Sequence, residues 1–133
     1  MDVNNIQFTK IEIKIAKYLF KHYRDRYNAR QLARILNINH AHANKLCNIL
    51  ADKKLLIKEE IGNSAFFSYE YDNKLAIKFM EYMLSLENKE FPKWLSVVSY
   101  SLKKFKDNIV MGLVFGSSIN APDFNDIDVL LMY

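Results

Sequence analysis

Two periods of apolar residues run through the chain, and the places where one gives way to the other mark its elements. Ile11, Ile15, Tyr18 and Leu19 recur at helical spacing, with Tyr23 a further candidate, while Lys10, Lys14, Lys17 and Lys21 fall on the other side. Thr9-Lys10-Ile11-Glu12 reads as a capping box at the start of that helix. Asn28-Ala29-Arg30-Gln31 opens a second, shorter helix in the same way, carrying Leu32, Ala33, Ile35 and Leu36. Asn37-Ile38-Asn39 is a tight polar turn with one apolar anchor, and Asn39 can cap a third helix over about 40–52. That helix turns Ala43, Leu46, Cys47 and Leu50 inward and leaves His40, His42, Asn44, Lys45 and Asn48 outside.

The period then changes. Residues 53–59 lead into a strand, 61–64 supply turn residues, and the aromatic run 66–71 predicts the returning strand of a hairpin. Asp72 or Asn73 can cap a fourth helix over 74–86, with Leu75, Phe79, Tyr82, Met83 and Leu86 as its apolar stripe. A polar connector over 86–91 ends at Pro92, and a fifth helix over about 92–106 carries Trp94, Val97, Val98, Leu102 and Phe105 inward. Such stripes belong to a core or to a dimer seam far more often than to a ligand site.

Three helices, the second and third joined by a three-residue turn, followed by a two-stranded hairpin, resemble the winged helix-turn-helix family of DNA-binding regulators over about residues 6–71. The resemblance implies that double-stranded DNA is met by the outer face of the third helix, with His40, His42, Asn44, Lys45 and Asn48, and by Arg30 and Arg34 of the second. The bland reading of the same side chains is a solvated helix surface. The expected wing tip, Gly62-Asn63-Ser64-Ala65, has no Lys or Arg for a minor groove.

The last stretch, 109–133, is built differently. An apolar strand over 109–115 breaks at Gly116-Ser117-Ser118, crosses a polar turn and re-enters an apolar strand carrying Asp126 and Asp128. Alternation along a strand would point both carboxylates to one face, where a hard cation such as Mg²⁺ could lie between them. A glycine before Ser117 lets backbone N–H groups and a small hydroxyl approach phosphate oxygens. Read blandly, Asp-x-Asp is a solvated strand face and Gly-Ser-Ser a common turn.

Gly116-Ser117, eight residues, then Asp126-Ile127-Asp128-Val129 resembles the signature of the polymerase-beta-type nucleotidyltransferase superfamily, especially its minimal members. The resemblance implies a nucleoside triphosphate held at Gly116, Ser117 and Ser118, and Mg²⁺ held by Asp126 and Asp128. Two departures accompany it: no third acid follows Asp128, and no Arg or Lys lies between Ser118 and Asn125. No catalytic residue is assigned, and these 133 residues alone are expected to be inactive as a nucleotidyltransferase, the missing acid coming from a continuation or a partner.

Composition narrows the classes. Half the residues are hydrophobic and 14% aromatic, enough for a folded core. There is no run of some 18 apolar residues for a membrane span, and a lone Cys47 points to a reducing, cytoplasmic setting. Residues 1–72 hold twelve Lys and Arg against eight Asp and Glu, whereas 73–133 hold seven of each, so polyanion contact is expected of the first part. His40, His42 and Cys47 do not make a zinc site on this reading, because Cys47 should face the core and the histidines the surface. Ser117 has no histidine C-terminal to His42 to activate it.

The expected architecture is mainly α with small β (α+β): a winged helix-turn-helix over 1–72, a helical connector with possible dimerisation helices over 73–107, and the strand-turn-strand opening of a nucleotidyltransferase-like sheet over 108–133. The first functional expectation is a DNA-binding regulator module joined to that segment. The alternative is an Mg²⁺-dependent enzyme moving a nucleoside monophosphate to a protein, nucleic acid or small molecule. A third possibility is that the final segment serves as a dimerisation platform; a homodimer is expected, although the uncovered edge of the second strand fits pairing with another chain or with a continuation alike.

Overall fold

Helix α1 (Lys10–Lys21) begins where the sequence places it. The Thr9 hydroxyl accepts from the Glu12 amide at 3.2 Å, and the Glu12 carboxylate accepts from the Thr9 amide at 2.7 Å. A two-residue strand, β1 (Tyr27–Asn28), precedes α2 (Ala29–Leu36), whose capping box joins Asn28 and Gln31 through two bonds of 2.9 Å. Asn37 then takes a left-handed conformation with φ 53°, and the Ile38 amide reaches back to the Ala33 carbonyl at 2.9 Å. Asn39 caps α3 (His40–Asp52) by accepting from the His42 amide at 3.2 Å. Left-handed backbone is tolerable at Asn37 because asparagine visits it more readily than bulkier residues.

The computed structural model describes residues 7–87 and 91–133. It forms two compact units, Met1–Asn88 and Lys89–Tyr133. Ile6 and residues 88–90 of the expected connector lie outside the described residues.

In the first unit, β2 (Leu56–Ile61) and β3 (Ser64–Tyr69) form a six-residue antiparallel hairpin, and β1 pairs with the other side of β3 to give the order β1-β3-β2. Helix, short strand, two helices and a hairpin make the winged-helix fold, so the mainly helical α+β architecture expected from the periodicity is the one observed. β1 escapes the periodicity because two residues have no period, and the returning strand β3 lies two residues earlier than the aromatic run suggests. The core gathers Ile15, Leu19, Leu32, Leu50, Leu55 and Phe67, each with at most 1% of its surface exposed. Burial of each large side chain stabilises by roughly 1.5–3 kcal/mol. Tyr23, beyond the end of α1, stands 63% exposed and takes no part.

α4 (Lys74–Glu87) packs on this core through Ala76, Phe79 and Met80, with Met83 partly buried beside them, so Phe79 and Met83 of the expected stripe face inward and the rest of it does not. Leu75, Tyr82 and Leu86 are exposed. The Tyr69 hydroxyl donates to the Ala76 carbonyl at 2.6 Å and ties the small Ala76 to β3, while Phe79 meets Phe8 at 4.5 Å between ring centres. Lys17 and Lys21 of α1 pair with Glu87 at the far end.

The second unit contains α5 (Lys93–Leu102), a 3-10 turn (Lys103–Phe105), β4 (Met111–Phe115), a single helical turn α6 (Ser117–Asn120) and β5 (Asp128–Met132). α5 ends earlier than expected, and none of its residues is buried; Val97 and Phe105 of the expected inner stripe are 65% and 56% exposed. β4 and β5 pair antiparallel from Met111↔Met132 to Phe115↔Asp128. No helix among the described residues is long and apolar enough to cross a membrane.

Candidate nucleic-acid interface and a second site

α3 carries its polar side chains outward because Ala43, Leu46, Cys47 and Leu50 fix its inner face. His40, His42, Asn44 and Lys45 are exposed, as are Arg30 and Arg34 one helical turn apart on α2. α2 packs on α3, so these residues belong to one helix-turn-helix pair. Arg30, Arg34 and Lys45 enter none of the ion pairs among the described residues, whereas Arg26 is tied to Glu59 on β2. Cations that the fold does not consume are available to phosphate oxygens.

Asn48 differs from the rest of the set. It is half-buried, its Nδ2 donates to the Asn44 carbonyl at 2.8 Å, and its Oδ1 accepts from Lys58 Nζ at 2.9 Å. Lys58 lies on β2 and was not singled out from the sequence. Only the sheet register, which puts Lys58 on the same face of β2 as the buried Leu56, turns it toward α3.

The hairpin tip is exposed, with Gly62 at φ 61° in the left-handed region. It carries no base, and Glu59 and Glu60 stand close by on β2. Cys47 is fully buried in the core, and burial pushes its thiol up to about 12. It faces away from His40 and His42, which are exposed on α3.

In the second unit the ladder brings the two halves of the C-terminal motif together. Phe115↔Asp128 is the last pair of β4–β5, so Asp128 lies beside the turn that begins at Gly116. Gly116 has φ 86°, and a Cβ built on it would overlap the Asp128 carboxylate. Glycine is therefore required there for its backbone and for the room it leaves. Asp126 precedes the strand instead of sharing it with Asp128, because pairing with β4 starts only at Asp128, so strand alternation does not align the two carboxylates.

Gly116-Ser117-Ser118 enters the one-turn helix α6 instead of a simple turn. Ser118 is 5% exposed and its hydroxyl donates to the Phe115 carbonyl at 3.3 Å, while Ser117 remains exposed. Two oxygen-donor acids fit a hard cation in kind. Among the described residues, no three His, Cys, Asp or Glu side chains come together as a larger donor set.

No family model matches the chain, and no curated protein does. Among solved structures it is similar to the adhesin competence repressor AdcR of Streptococcus pyogenes, at 20% identity and a TM-score of 0.44, covering 77% of this chain and 83% of that one. A second AdcR structure gives 19% identity and a TM-score of 0.45 over 80% and 83% of the two chains. A variant of ZitR from Lactococcus lactis gives 17% identity and a TM-score of 0.41 over 77% and 76%.

Proposed function

We propose that the first unit binds double-stranded DNA as a winged helix, with α3 entering the major groove and the protein acting as a regulator. The observation that carries this is the set of uncommitted groups on the helix-turn-helix pair: Arg30, Arg34 and Lys45 are exposed and outside every ion pair among the described residues, beside exposed His40, His42 and Asn44. Arginine and lysine would take phosphates, and the amide and imidazole groups would meet base edges. Such a module works where DNA is, in the cytoplasm, and as a homodimer it would read two half-sites.

The test is fluorescence anisotropy of a labelled duplex across a salt series, with wild-type protein and the Arg34→Ala/Lys45→Ala double variant. Loss of two phosphate contacts lowers affinity and flattens the log–log salt slope by about two. Unchanged binding by the double variant would sink this face.

A second reading is favoured by the closeness of Gly116 and Asp128. It makes the second unit a nucleoside triphosphate site of the nucleotidyltransferase kind, with Asp126 and Asp128 as the ligands that would hold Mg²⁺ and Gly116 and Ser117 beside the phosphates. The metal would neutralise charge on the transferring phosphoryl oxygens. Ser118, whose hydroxyl is spent on the Phe115 carbonyl, would shape the turn rather than touch the nucleotide. Mg²⁺-dependent quenching of Trp94 by a triphosphate, lost in Asp126→Asn, is the expected result; equal binding by that variant would remove the acid from the site.

A further inference from the structure

Lys58 and Asn48 form a small device at the edge of the α3 face. Lysine can only donate and the Asn44 carbonyl can only accept, so the two contacts at 2.9 and 2.8 Å agree on one orientation of the Asn48 amide and forbid the flipped one. Each contact uses one valence. One N–H and one lone pair of the Asn48 amide remain for an incoming group. An asparagine amide offering one donor and one acceptor matches the N7 and N6 edge of adenine in the major groove. The Lys58 ammonium is also near Glu60, at 3.8 Å, so its charge is already partly answered within the protein.

We propose that Lys58 is a positioning residue for base readout: it locks the Asn48 amide so that α3 selects adenine at one position of its site. The proposal rests on the reading of α3 as the DNA-contacting helix. It separates Lys58 from Arg34 and Lys45, whose contribution is to phosphates at any sequence. Removing Lys58 leaves the Asn44 carbonyl alone to hold the amide, so the flipped orientation, which presents the opposite polarity to a base edge, is opposed by one contact instead of two. Affinity for random duplex then changes little while the preference at that position relaxes.

The experiment is enrichment from a random-sequence duplex pool by wild-type, Asn48→Ala, Lys58→Met and Lys58→Arg proteins, each shown to be folded by circular dichroism. Wild type is expected to enrich adenine about tenfold at one position, Asn48→Ala and Lys58→Met to lose that preference at the same position, and Lys58→Arg, which keeps a donor, to retain most of it. An Asn48→Ala/Lys58→Met double variant should lose no more of the preference than either single one. A Lys58→Met protein that keeps the adenine preference but binds every duplex more weakly, with a salt slope smaller by about one, overturns the proposal and makes Lys58 a phosphate ligand. Duplex binding that is unchanged, in strength and in salt slope, in the Arg34→Ala/Lys45→Ala variant overturns the reading of the face as well, which distinguishes the two failures. Lys58→Met can also be read without DNA: the side-chain amide signals of Asn48 should move toward free exchange with solvent, and an unchanged pair of signals would remove the lock.

Discussion

Lys53 Nζ lies 2.7 Å from Glu12 Oε1, and this contact fastens the start of α1 to the end of α3. Glu12 is 3% exposed, and Lys53 also donates to the Gln7 carbonyl at 2.7 Å and stands 4.6 Å over the Phe8 ring. Burial alone would raise the Glu12 carboxyl. Hydrogen bonds from Lys53 and from the amide and hydroxyl of Thr9 outweigh it and hold the group below its ordinary value of 4.5. Glu87 is likewise lowered, first by its hydrogen bond with Lys17.

Stability should therefore fall in acid. A carboxyl whose folded pKa is depressed contributes fully above its unfolded value and loses that contribution as pH drops through 4.5 and then through the lower folded value. Urea denaturation from about pH 7 down to about pH 3 should show this decline, and Glu12→Gln should flatten it. At neutral pH, Glu12→Ala is expected to cost about 2 kcal/mol, because it takes the carboxylate from a half-buried ammonium, leaving it the Gln7 carbonyl, and breaks the capping box. A cost below about 0.5 kcal/mol would mean that the pair holds nothing.

Cys47 supplies a probe of the whole first unit. With no exposed surface and a thiol pushed to about 12, it should not react with an aromatic disulfide reagent near pH 8 on the time scale of an exposed thiol. Reaction should wait for opening of the core, so its rate in rising urea should follow the unfolded fraction. Rapid reaction in native buffer would contradict the packing of α3.

Positive φ at a lysine invites a stabilising change. Lys54 has φ 62°, and with Leu55 it closes the end of α3, the Lys54 amide meeting the Ala51 carbonyl and the Leu55 amide the Leu50 carbonyl, each at 3.0 Å. Both bonds use backbone atoms only. Lys54→Gly should therefore keep them while relieving a Cβ clash, and stabilise the protein by about 0.5–1 kcal/mol in urea. Lys54→Val should destabilise, and equal stabilities for the two variants would contradict this geometry.

Much of the first unit was legible because its signals are local. Thr9 with Glu12, Asn28 with Gln31, and Asn37-Ile38-Asn39 are fixed by hydrogen bonds within a few residues, and these capping and turn positions could be read directly. Cys47 faces the core as the helical period of α3 requires. What needed the third dimension was missed. β1 exists only because β3 lies beside it, Ala76 on α4 is tied down by Tyr69 on β3, and Lys58 gains its partner from α3 packed against β2. In the second unit the closeness of Gly116 to Asp128 follows from strand register, and the same register leaves Asp126 outside the strand assigned to it.

Gly116→Ala tests that closeness directly. The substitution places a Cβ at φ 86° and into the Asp128 carboxylate, so Asp128 or the turn must move. The expected cost is about 1–2 kcal/mol in the second unit from the backbone alone, with Mg²⁺-dependent triphosphate quenching of Trp94 lost together with it. Asp128→Ala separates the two effects. Combined with Gly116→Ala it removes the overlap, and the double variant should recover part of the stability while still failing to bind. If Gly116→Ala leaves stability and quenching unchanged, the carboxylate does not occupy the space beside the turn.

The hairpin tip makes the last prediction. A wing contributes to duplex binding when its tip puts a cation near a minor groove, and here Gly62-Asn63-Ser64-Ala65 has none while Glu59 and Glu60 stand behind it. On the proposed orientation of α3, the tip is therefore a weak point of the interface. Asn63→Lys adds one charge at an exposed position that needs no side-chain partner, so folding should be unaffected. If the tip approaches the duplex, log affinity should fall more steeply with log salt, by about one unit of slope, and binding at low salt should tighten several-fold. Placing the same lysine at Tyr82, exposed on α4, should give a smaller change, because simple net charge acts from any position only weakly. Equal effects at Asn63 and Tyr82 would mean that the wing does not face DNA, and that α3 meets the groove in some other orientation.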